Sequence, residues 1–228
     1  FCNPIRNYIK FEGKMGRIKG RNEKLIKSRK TKIMIATYLA VIEKGFANTR
    51  AADIAKKANM SQALMFYYFD SMEELFIETL QWVNNRIGQR LIHKVDSVSN
   101  PVLQLKIRVD DSFLSTKENR RFYLYYIDFI HEGVRFELFR QPIEKLNNEI
   151  FSKSLTYIKN GVAQGYFRKD LDIEAASSMI KANIDGFMLQ WLFDNENTFD
   201  SYRKRCLDVI YRYILSDLQL IEKYNLLN

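Results

Sequence analysis

Hydrophobic residues recur every three or four positions along most of the chain, which is the period of an amphipathic α-helix. The clearest early example predicts a helix from about Ser28 to Lys44, one face of which carries Ile33, Thr37, Ala40 and Val41. Glycine occurs nine times and proline three times, and no run of β-branched residues alternates with polar ones. The pattern therefore predicts an all-α fold.

Residues that start or stop helices mark the segment that follows. Gly45 is expected to end the first helix, and Thr49 is expected to cap a short second helix. Asn59 suits a tight turn because asparagine tolerates the left-handed conformation. Ser61 is expected to cap a third helix. Ser71–Glu74 has the form of a capping box that opens a fourth helix, which we expect to end near residue 95.

Longer helices with many aromatic residues are predicted beyond residue 100. Each is marked by a proline just inside its start, by an acidic or hydroxyl cap, or by a glycine just past its end. The marks are Pro101 and Pro142 at two starts, Gly161 or Gly165 at one end, and Asp172 and then Thr198 or Asp200 at the last two starts.

The net charge of +9 lies entirely in the N-terminal segment. Residues 1–32 carry eleven basic and two acidic side chains, and the remainder of the chain is balanced. Such a segment favours a polyanionic partner, most simply the phosphates of DNA, although a solvated tail has the same composition. We assign residues 1–27 as a basic arm and expect Lys19, Arg21 and Lys30 to contact phosphates. Met15 is a candidate translation start.

Composition argues against several classes of protein. The longest apolar run is the seven residues Ala63–Phe69, whereas a membrane span needs ~20, and no secretory signal is visible. Two cysteines (Cys2, Cys206) and two histidines (His93, His131) predict neither a disulfide framework nor a metal site. We therefore expect a cytoplasmic protein with no metal, no cofactor and no membrane partner.

Residues 49–69 have the spacing of a helix-turn-helix, in which a second helix enters the major groove of DNA. Gln62 is predicted to bind an adenine edge, and Ala63 or Leu64 to contact a thymine methyl group. Tyr67, Tyr68 and the start of the helix are predicted to bind phosphates. An ordinary helical hairpin has the same spacing. The full predicted DNA-binding set in this segment is Thr49, Arg50, Ser61, Gln62, Ala63, Leu64, Phe66, Tyr67 and Tyr68.

The segment 45–76 resembles the DNA-binding signature of the TetR family of transcriptional regulators. The matching positions are Gly45-Phe46, Thr49, Asp53-Ile54-Ala55, Ser61, Tyr68-Phe69, Ser71 and Glu74-Leu75. The later part of the chain is similar to the subgroup with a BetI-like ligand domain, through Gly161–Gln164, Gly165-Tyr166-Phe167, Asp172 and Asp185-Gly186-Phe187. The resemblance implies a DNA-binding domain over residues 28–72 and a helical ligand-binding and dimerisation domain over residues 73–228.

Three positions depart from the family pattern. Asn59 stands where the family often has glycine, Phe66 where it usually has tyrosine, and Met72 where lysine is frequent. The last two changes remove groups that commonly contact the DNA backbone. We expect the basic arm to compensate, so that salt dependence shifts onto residues such as Lys19, Arg21 and Lys24.

Two further sets of residues are predicted in the larger domain. Aromatic and apolar side chains at helical spacing are candidates to line an effector pocket, although such residues more often form a core: Trp82, Phe113, Phe122, Tyr125, Tyr126, Phe129 and Met188. Asp128 and Glu132 are either acceptors for a cationic effector or solvated surface acids. The last two helices are apolar on more than one face, which predicts a homodimer interface that contains Met179, Ile184, Phe187, Trp191, Ile210 and Tyr213.

The family resemblance implies a regulator that releases a palindromic operator when a small, largely apolar or aromatic and cationic effector binds. Repression is favoured over activation. A DNA-binding protein without an effector remains an alternative, because the basic arm suits it. A helical enzyme is disfavoured, since the sequence contains neither a nucleophile–base pair nor a phosphate-binding loop.

Overall fold

The computed structural model describes residues 23–194 and 198–227. Within them the chain is built from α-helices and contains no strand, which confirms the predicted all-α fold. A 3₁₀ helix, Phe46–Asn48, follows the first α-helix. The helices are α1 (Glu23–Lys44), α2 (Ala51–Ala58), α3 (Gln62–Tyr68), α4 (Met72–Asp96), α5 (Pro101–Asp110), α6 (Thr116–Arg135), α7 (Glu137–Ala163), α8 (Ile173–Phe193), α9 (Phe199–Ile214) and α10 (Gln219–Lys223).

Most of the predicted helix ends are confirmed by side-chain caps. The Ser61 hydroxyl accepts from the Leu64 N–H at 3.1 Å at the start of α3. The Asp172 carboxylate accepts from the Ala175 N–H at 3.0 Å at the start of α8, and Thr198 caps α9. These bonds satisfy backbone donors that have no partner within the helix.

Three predicted helix starts are wrong. The first is that of α1, which is already helical at Glu23 rather than from about Ser28. Arg50, not Thr49, precedes α2, because the Thr49 hydroxyl donates to the Gly45 carbonyl at 2.8 Å. The third is Pro142, which lies inside α7 rather than at its start. Proline is tolerated there because its missing N–H leaves only the carbonyl of Leu138 without a helical donor, and Leu138 is exposed and lies in the first turn.

The capping box at Ser71 forms with one change of partner. The Ser71 hydroxyl accepts from the Glu74 N–H at 3.0 Å, as predicted. The Glu74 carboxylate, however, accepts from the N–H of Asp70 rather than from that of Ser71. Both ends of the pair still satisfy backbone donors at the start of α4.

The helices form two compact units, which divide within α4, α6 and α7. The described residues up to Val83 and residues 124–142 form the first unit, so the predicted boundary at residue 72 falls inside it. Helices α1, α2 and α3 pack on one another. Their shared core contains side chains that are at most 1% exposed, namely Ile33, Ala40, Ile54, Met65 and Phe69.

The second unit consists of residues 84–123 and the described residues from Ile143 onward. Helix α9 packs against α5 and α8 through a core that includes Leu105, Val109, Ile180, Cys206 and Ile210. Near the end of α7, a Cβ added to Gly161 would lie 2.1 Å from the buried Phe167 ring. Only glycine therefore allows this approach. No helix among the described residues is long and apolar enough to cross a membrane.

Candidate nucleic-acid interface

The turn between α2 and α3 has the geometry of a helix-turn-helix. Asn59 adopts the left-handed conformation with φ 52° and ψ 57°, as the sequence predicts. The N–H of Met60 donates to the Ala55 carbonyl at 3.0 Å, which closes the end of α2. Because Ile54, Ala55 and Met65 are buried, each of the two helices turns its other face outward.

The outward face of α3 is apolar and aromatic. Leu64 is 38% exposed, Phe66 39% and Tyr67 54%, and the neighbouring Gln62 is exposed too. The ring of Tyr67 lies against the half-buried Tyr68 ring in a T-shaped arrangement, at 5.2 Å between centroids. Exposed apolar side chains that group on one short helix indicate a surface that meets a partner.

The start of α3 offers hydrogen-bond donors to an anion. Ser61 and the first two residues of the helix, Gln62 and Ala63, are exposed. Their backbone N–H groups have no acceptor within the helix, whereas that of Leu64 is capped by Ser61. Together with the positive end of the helix dipole, they form a site suited to a phosphate.

Two residues of the predicted DNA-binding set already have partners within the protein. The Lys30 ammonium donates to both carboxylate oxygens of Glu78, at 2.6 and 2.8 Å, and lies 4.6 Å from the centroid of the Phe69 ring. It therefore ties α1 to α4. Thr49 is 1% exposed and its hydroxyl already donates to Gly45, so it cannot reach a phosphate.

The remaining basic residues of the first unit differ in their pairing. Lys44 bonds Asp53 at 2.5 Å, and Lys57 bonds Glu43 at 2.7 Å. The hydrogen bond from Lys44, together with one from the N–H of Arg50, lowers the pKa of the Asp53 carboxyl. Lys19 and Arg21 lie outside the described residues. Six exposed basic side chains have no ion pair within the described ranges and could contact phosphates: Lys24, Lys27, Arg29, Lys32, Arg50 and Lys56.

A contact between distant segments, which no local pattern predicts, holds the loop before α2. The N–H of Phe46 donates to the Asp128 carboxylate at 2.8 Å, so Asp128 has a structural partner within its own unit. Gly45, with φ 77°, makes the turn that directs this N–H towards α6. The Phe46 ring packs between Phe76, Phe129 and Phe139, with centroid distances of 4.6, 5.3 and 5.5 Å.

The predicted pocket residues are divided between the two units. Tyr125 and Phe129 are fully buried in the core of the first unit, with their ring centroids 4.5 Å apart. In the second unit Phe113 packs on Phe199 at 5.6 Å, and Met188 is fully buried. These four are core side chains. The half-buried Trp82 and Phe122 and the Tyr126 ring, at 8% exposure, stay predictions.

The predicted interface residues separate into buried and accessible ones. Ile184 and Ile210 are 2% and 0% exposed, so their own chain covers them and they offer little surface to a second copy. Met179, Phe187 and Trp191 are half-buried, and Tyr213 is exposed. The prediction missed the most accessible apolar side chains of the two helices: Leu189, Phe193 and Val209.

Comparison with known proteins identifies the helix-turn-helix. Residues 35–79, which span the later part of α1, all of α2 and α3 and the start of α4, match the family described as bacterial regulatory proteins, TetR family. The chain thus contains the DNA-binding domain of the TetR family. The family and the relatives that the chain resembles are DNA-binding transcriptional regulators, not enzymes.

The likeness to TetR-family proteins extends beyond the DNA-binding helices. The transcriptional repressor KstR2 of Mycobacterium tuberculosis is 27% identical over 171 residues, which are 73% of this chain and 81% of the relative. The transcriptional regulator BetI of Yersinia pestis is 24% identical over 201 residues, 84% of this chain and 93% of the relative. A transcriptional regulator from Saccharomonospora viridis, crystallised with choline, superposes with a TM-score of 0.78 at 20% identity over 84% of this chain and 100% of that chain. That structure shares the fold.

Proposed function

We propose that this TetR-family protein is a homodimeric repressor that binds a palindromic operator and releases it when a small molecule binds. The exposed apolar face of α3 carries the proposal. A helix that only stabilised the protein would turn Leu64, Phe66 and Tyr67 inward, whereas here they are 38–54% exposed. Major-groove DNA offers thymine methyl groups and sugars as apolar partners for such side chains.

Each accessible residue of α3 has a predicted role in the operator complex. Gln62, in the first turn, donates to and accepts from an adenine edge. Ala63 and Leu64 contact thymine methyl groups. Tyr67 donates its hydroxyl to a phosphate, and Arg50 at the start of α2 neutralises another. The half-buried Tyr68 supports Tyr67 from behind.

The dimer is proposed to form through α8 and α9. Leu189 and Phe193 lie one turn apart on α8, at 40% and 85% exposure, and Val209 and Tyr213 lie one turn apart on α9, at 43% and 39%. Apolar rows on two packed helices form a surface that a second copy can cover in a two-fold arrangement. Such a dimer presents two α3 helices to two operator half-sites, which is the reason for expecting a palindrome.

Repression and release are supported by the relatives. KstR2 is a transcriptional repressor, and the Saccharomonospora viridis regulator was crystallised with choline. An effector weakens operator binding only by its different affinity for the DNA-competent and DNA-incompetent states. We therefore propose an effector that favours the second state.

Selection of bound sequences from a random duplex pool at moderate salt tests the proposal, with Gln62→Ala beside the wild type. We expect the wild type to enrich a palindrome and Gln62→Ala to lose preference at one symmetric pair of positions. Arg50→Ala is the matched control, because loss of a phosphate contact lowers affinity for all sequences and leaves the preference unchanged. Enrichment of no sequence, with binding that disappears as salt rises, would show a nonspecific DNA-binding protein instead.

A further inference from the structure

Two charged side chains of the second unit, Arg108 and Asp111, are buried among the described residues, and of these two only Asp111 has a salt bridge. Arg108, in the last turn of α5, is 6% exposed. Arginine remains protonated in proteins, so burial cannot neutralise it by a pKa shift as it can for lysine. A buried guanidinium therefore needs hydrogen-bond acceptors, and preferably an anion, around it.

The protein supplies Arg108 with a single neutral acceptor among the described residues. Its Nη1 donates to the Ser112 hydroxyl at 2.7 Å, and that hydroxyl donates in turn to the Arg108 carbonyl at 3.2 Å. The Nε atom is buried and has no hydrogen-bond partner in the described part of the chain. Buried side-chain donors without any partner are rare in folded proteins.

The nearest carboxylates along the chain are already paired with other cations. Asp110 bonds Lys106 at 2.5 Å and Arg203 at 3.0 Å. Asp111, whose side chain is 3% exposed, bonds both Arg90 and Lys94. No carboxylate in residues 23–194 or 198–227 lies within ion-pair distance of Arg108, so its positive charge is not neutralised there.

Arg203, in the same unit, is an arginine that is paired with carboxylates and serves as a comparison for Arg108. Its side chain is 13% exposed, and it bonds Asp110 at 3.0 Å and Asp200 at 2.8 Å. A third bond reaches the Leu227 carbonyl at 3.2 Å. Two arginines with little exposure thus have opposite surroundings, since one is held by two carboxylates and the other by one hydroxyl.

Other polar groups of the core lie within electrostatic reach of Arg108. Burial raises the pKa of the Cys206 thiol to about 12, and the positive charge of Arg108 opposes that rise. Burial likewise raises the pKa of Tyr157, and Arg108 again opposes it. The Tyr157 hydroxyl bonds Ser154 at 3.0 Å. Arg108 thus adds a positive charge to a core that also contains the polar side chains of Ser154 and Tyr157.

We propose that Arg108 binds the anionic group of the effector, and that the effector is a small molecule with an apolar body and a carboxylate or phosphate head. This inference rests on the proposed function, because it names the class of its effector. The planar guanidinium matches either head with two parallel hydrogen bonds, and the buried Nε is a donor of the right kind. A cationic effector, as the sequence predicts and as the choline-bound neighbour holds, would meet a like charge at this position.

The first test measures stability without ligand. Arg108→Met removes a charge that has no ionic partner, so we expect a melting temperature equal to or above that of the wild type. Arg203→Met is the matched control and should lower the melting temperature by about 5 °C, because it leaves Asp110 and Asp200 without their cation. An Arg108→Met variant that melts as early as Arg203→Met, or that does not fold, would show a structural arginine and overturn the proposal.

The second test measures binding in the absence of DNA by calorimetry. The probes share a ten-carbon chain and differ in the head: decanoate, decyl phosphate, decanol and decyltrimethylammonium, each below its micelle concentration. We expect the wild type to bind an anionic probe at least tenfold more tightly than decanol or the cation, and Arg108→Met to lose that preference. Arg108→Lys should keep part of it, since the charge remains. The tighter of the two anions identifies the head.

Outcomes of the binding test separate this inference from the proposed function. Equal binding of anion and alcohol by the wild type, no binding of either anion, or an unchanged preference in Arg108→Met would overturn the anion site. Operator affinity is measured separately by fluorescence anisotropy. An anion that binds through Arg108 and leaves operator affinity unchanged would keep the site and refute the ligand-responsive repressor.

Discussion

In the first unit the residues that stand out are exposed and apolar, whereas in the second unit the residue that stands out is buried and charged. Leu64, Phe66 and Tyr67 lie on the surface of α3, although polar groups around them such as Thr49 and Asp53 have partners. Arg108 lies in a core and lacks an anion among the described residues. Both arrangements cost free energy in the isolated chain, so each indicates a partner: DNA outside, and a small ligand inside.

The largest expected effect compares two aromatic rings within the first unit. Phe129→Ala removes a fully buried ring that packs on Phe46, Tyr125 and Phe139, and we expect a loss of about 3–5 kcal/mol of unfolding free energy. Tyr67→Ala should leave stability unchanged and weaken operator binding by about tenfold. Thermal melts and anisotropy titrations of both variants check this. Equal destabilisation by the two changes would contradict an exposed, DNA-facing Tyr67.

A second comparison uses two helical glycines of the second unit. Gly161→Ala places a methyl group 2.1 Å from the Phe167 ring, whereas nothing lies within 4 Å of a Cβ at Gly186. We expect Gly161→Ala to destabilise the unit by about 1–3 kcal/mol. Gly186→Ala should be neutral or stabilise α8 by up to about 1 kcal/mol. Denaturant titrations measure both, and a harmless Gly161→Ala would show that the end of α7 can repack.

The contact between Asp128 and Phe46 gives a smaller effect. Asp128→Ala leaves the Phe46 N–H without its acceptor, and we expect a cost of about 1–2 kcal/mol together with weaker operator binding, because the loop leads into α2. Asp128→Asn is the control, since its amide oxygen can still accept the bond. Hydrogen exchange at the Phe46 amide should rise in Asp128→Ala and stay nearly unchanged in Asp128→Asn. The same exchange rate in all three proteins would exclude the hydrogen bond.

The smallest effect is a pH dependence at the start of α2. The folded protein lowers the pKa of Asp53 below its usual value of 3.8. Ionised Asp53 therefore contributes to the stability of the fold when the pH is above 3.8. This contribution is lost as the pH falls through the lowered folded-state pKa. We expect Asp53→Asn to make stability less dependent on pH below about pH 4, as measured by thermal melts from pH 2.5 to 6. A steeper dependence in the variant would contradict the sign.

The sequence predicts local features well and pairings between distant segments poorly. Asn59, Ser61 and Asp172 act within a few residues of themselves, so spacing alone indicates their roles, and the structure confirms them. The bond from Lys30 to Glu78 was not predicted, because the two residues lie 48 positions apart. Asp128 and Phe46 are 82 residues apart, and no local pattern reports such a bond.

Helical periodicity also shows that α8 has more than one apolar face, but it does not show which face packs into the core. Ile184 and Phe193 belong to the same helix and are similarly hydrophobic, yet one is 2% and the other 85% exposed. The choice depends on the packing of α8 against α9, which only the folded chain defines. The same limit applies to Arg108, because a charged residue on a helix of mixed composition gives no sign that its position is buried.

The contacts of Phe46 also constrain the order in which the first unit can fold during synthesis of the chain. Helices α1 to α3 leave the ribosome first, but Asp128, Phe129 and Phe139, which pack on the loop between α1 and α2, lie 82 or more residues after Phe46. The packing of this loop therefore waits for residues 124–142. A nascent or truncated chain that ends before α6 carries every residue of α3 that is proposed to contact bases, but it lacks the partners of the loop that leads into α2.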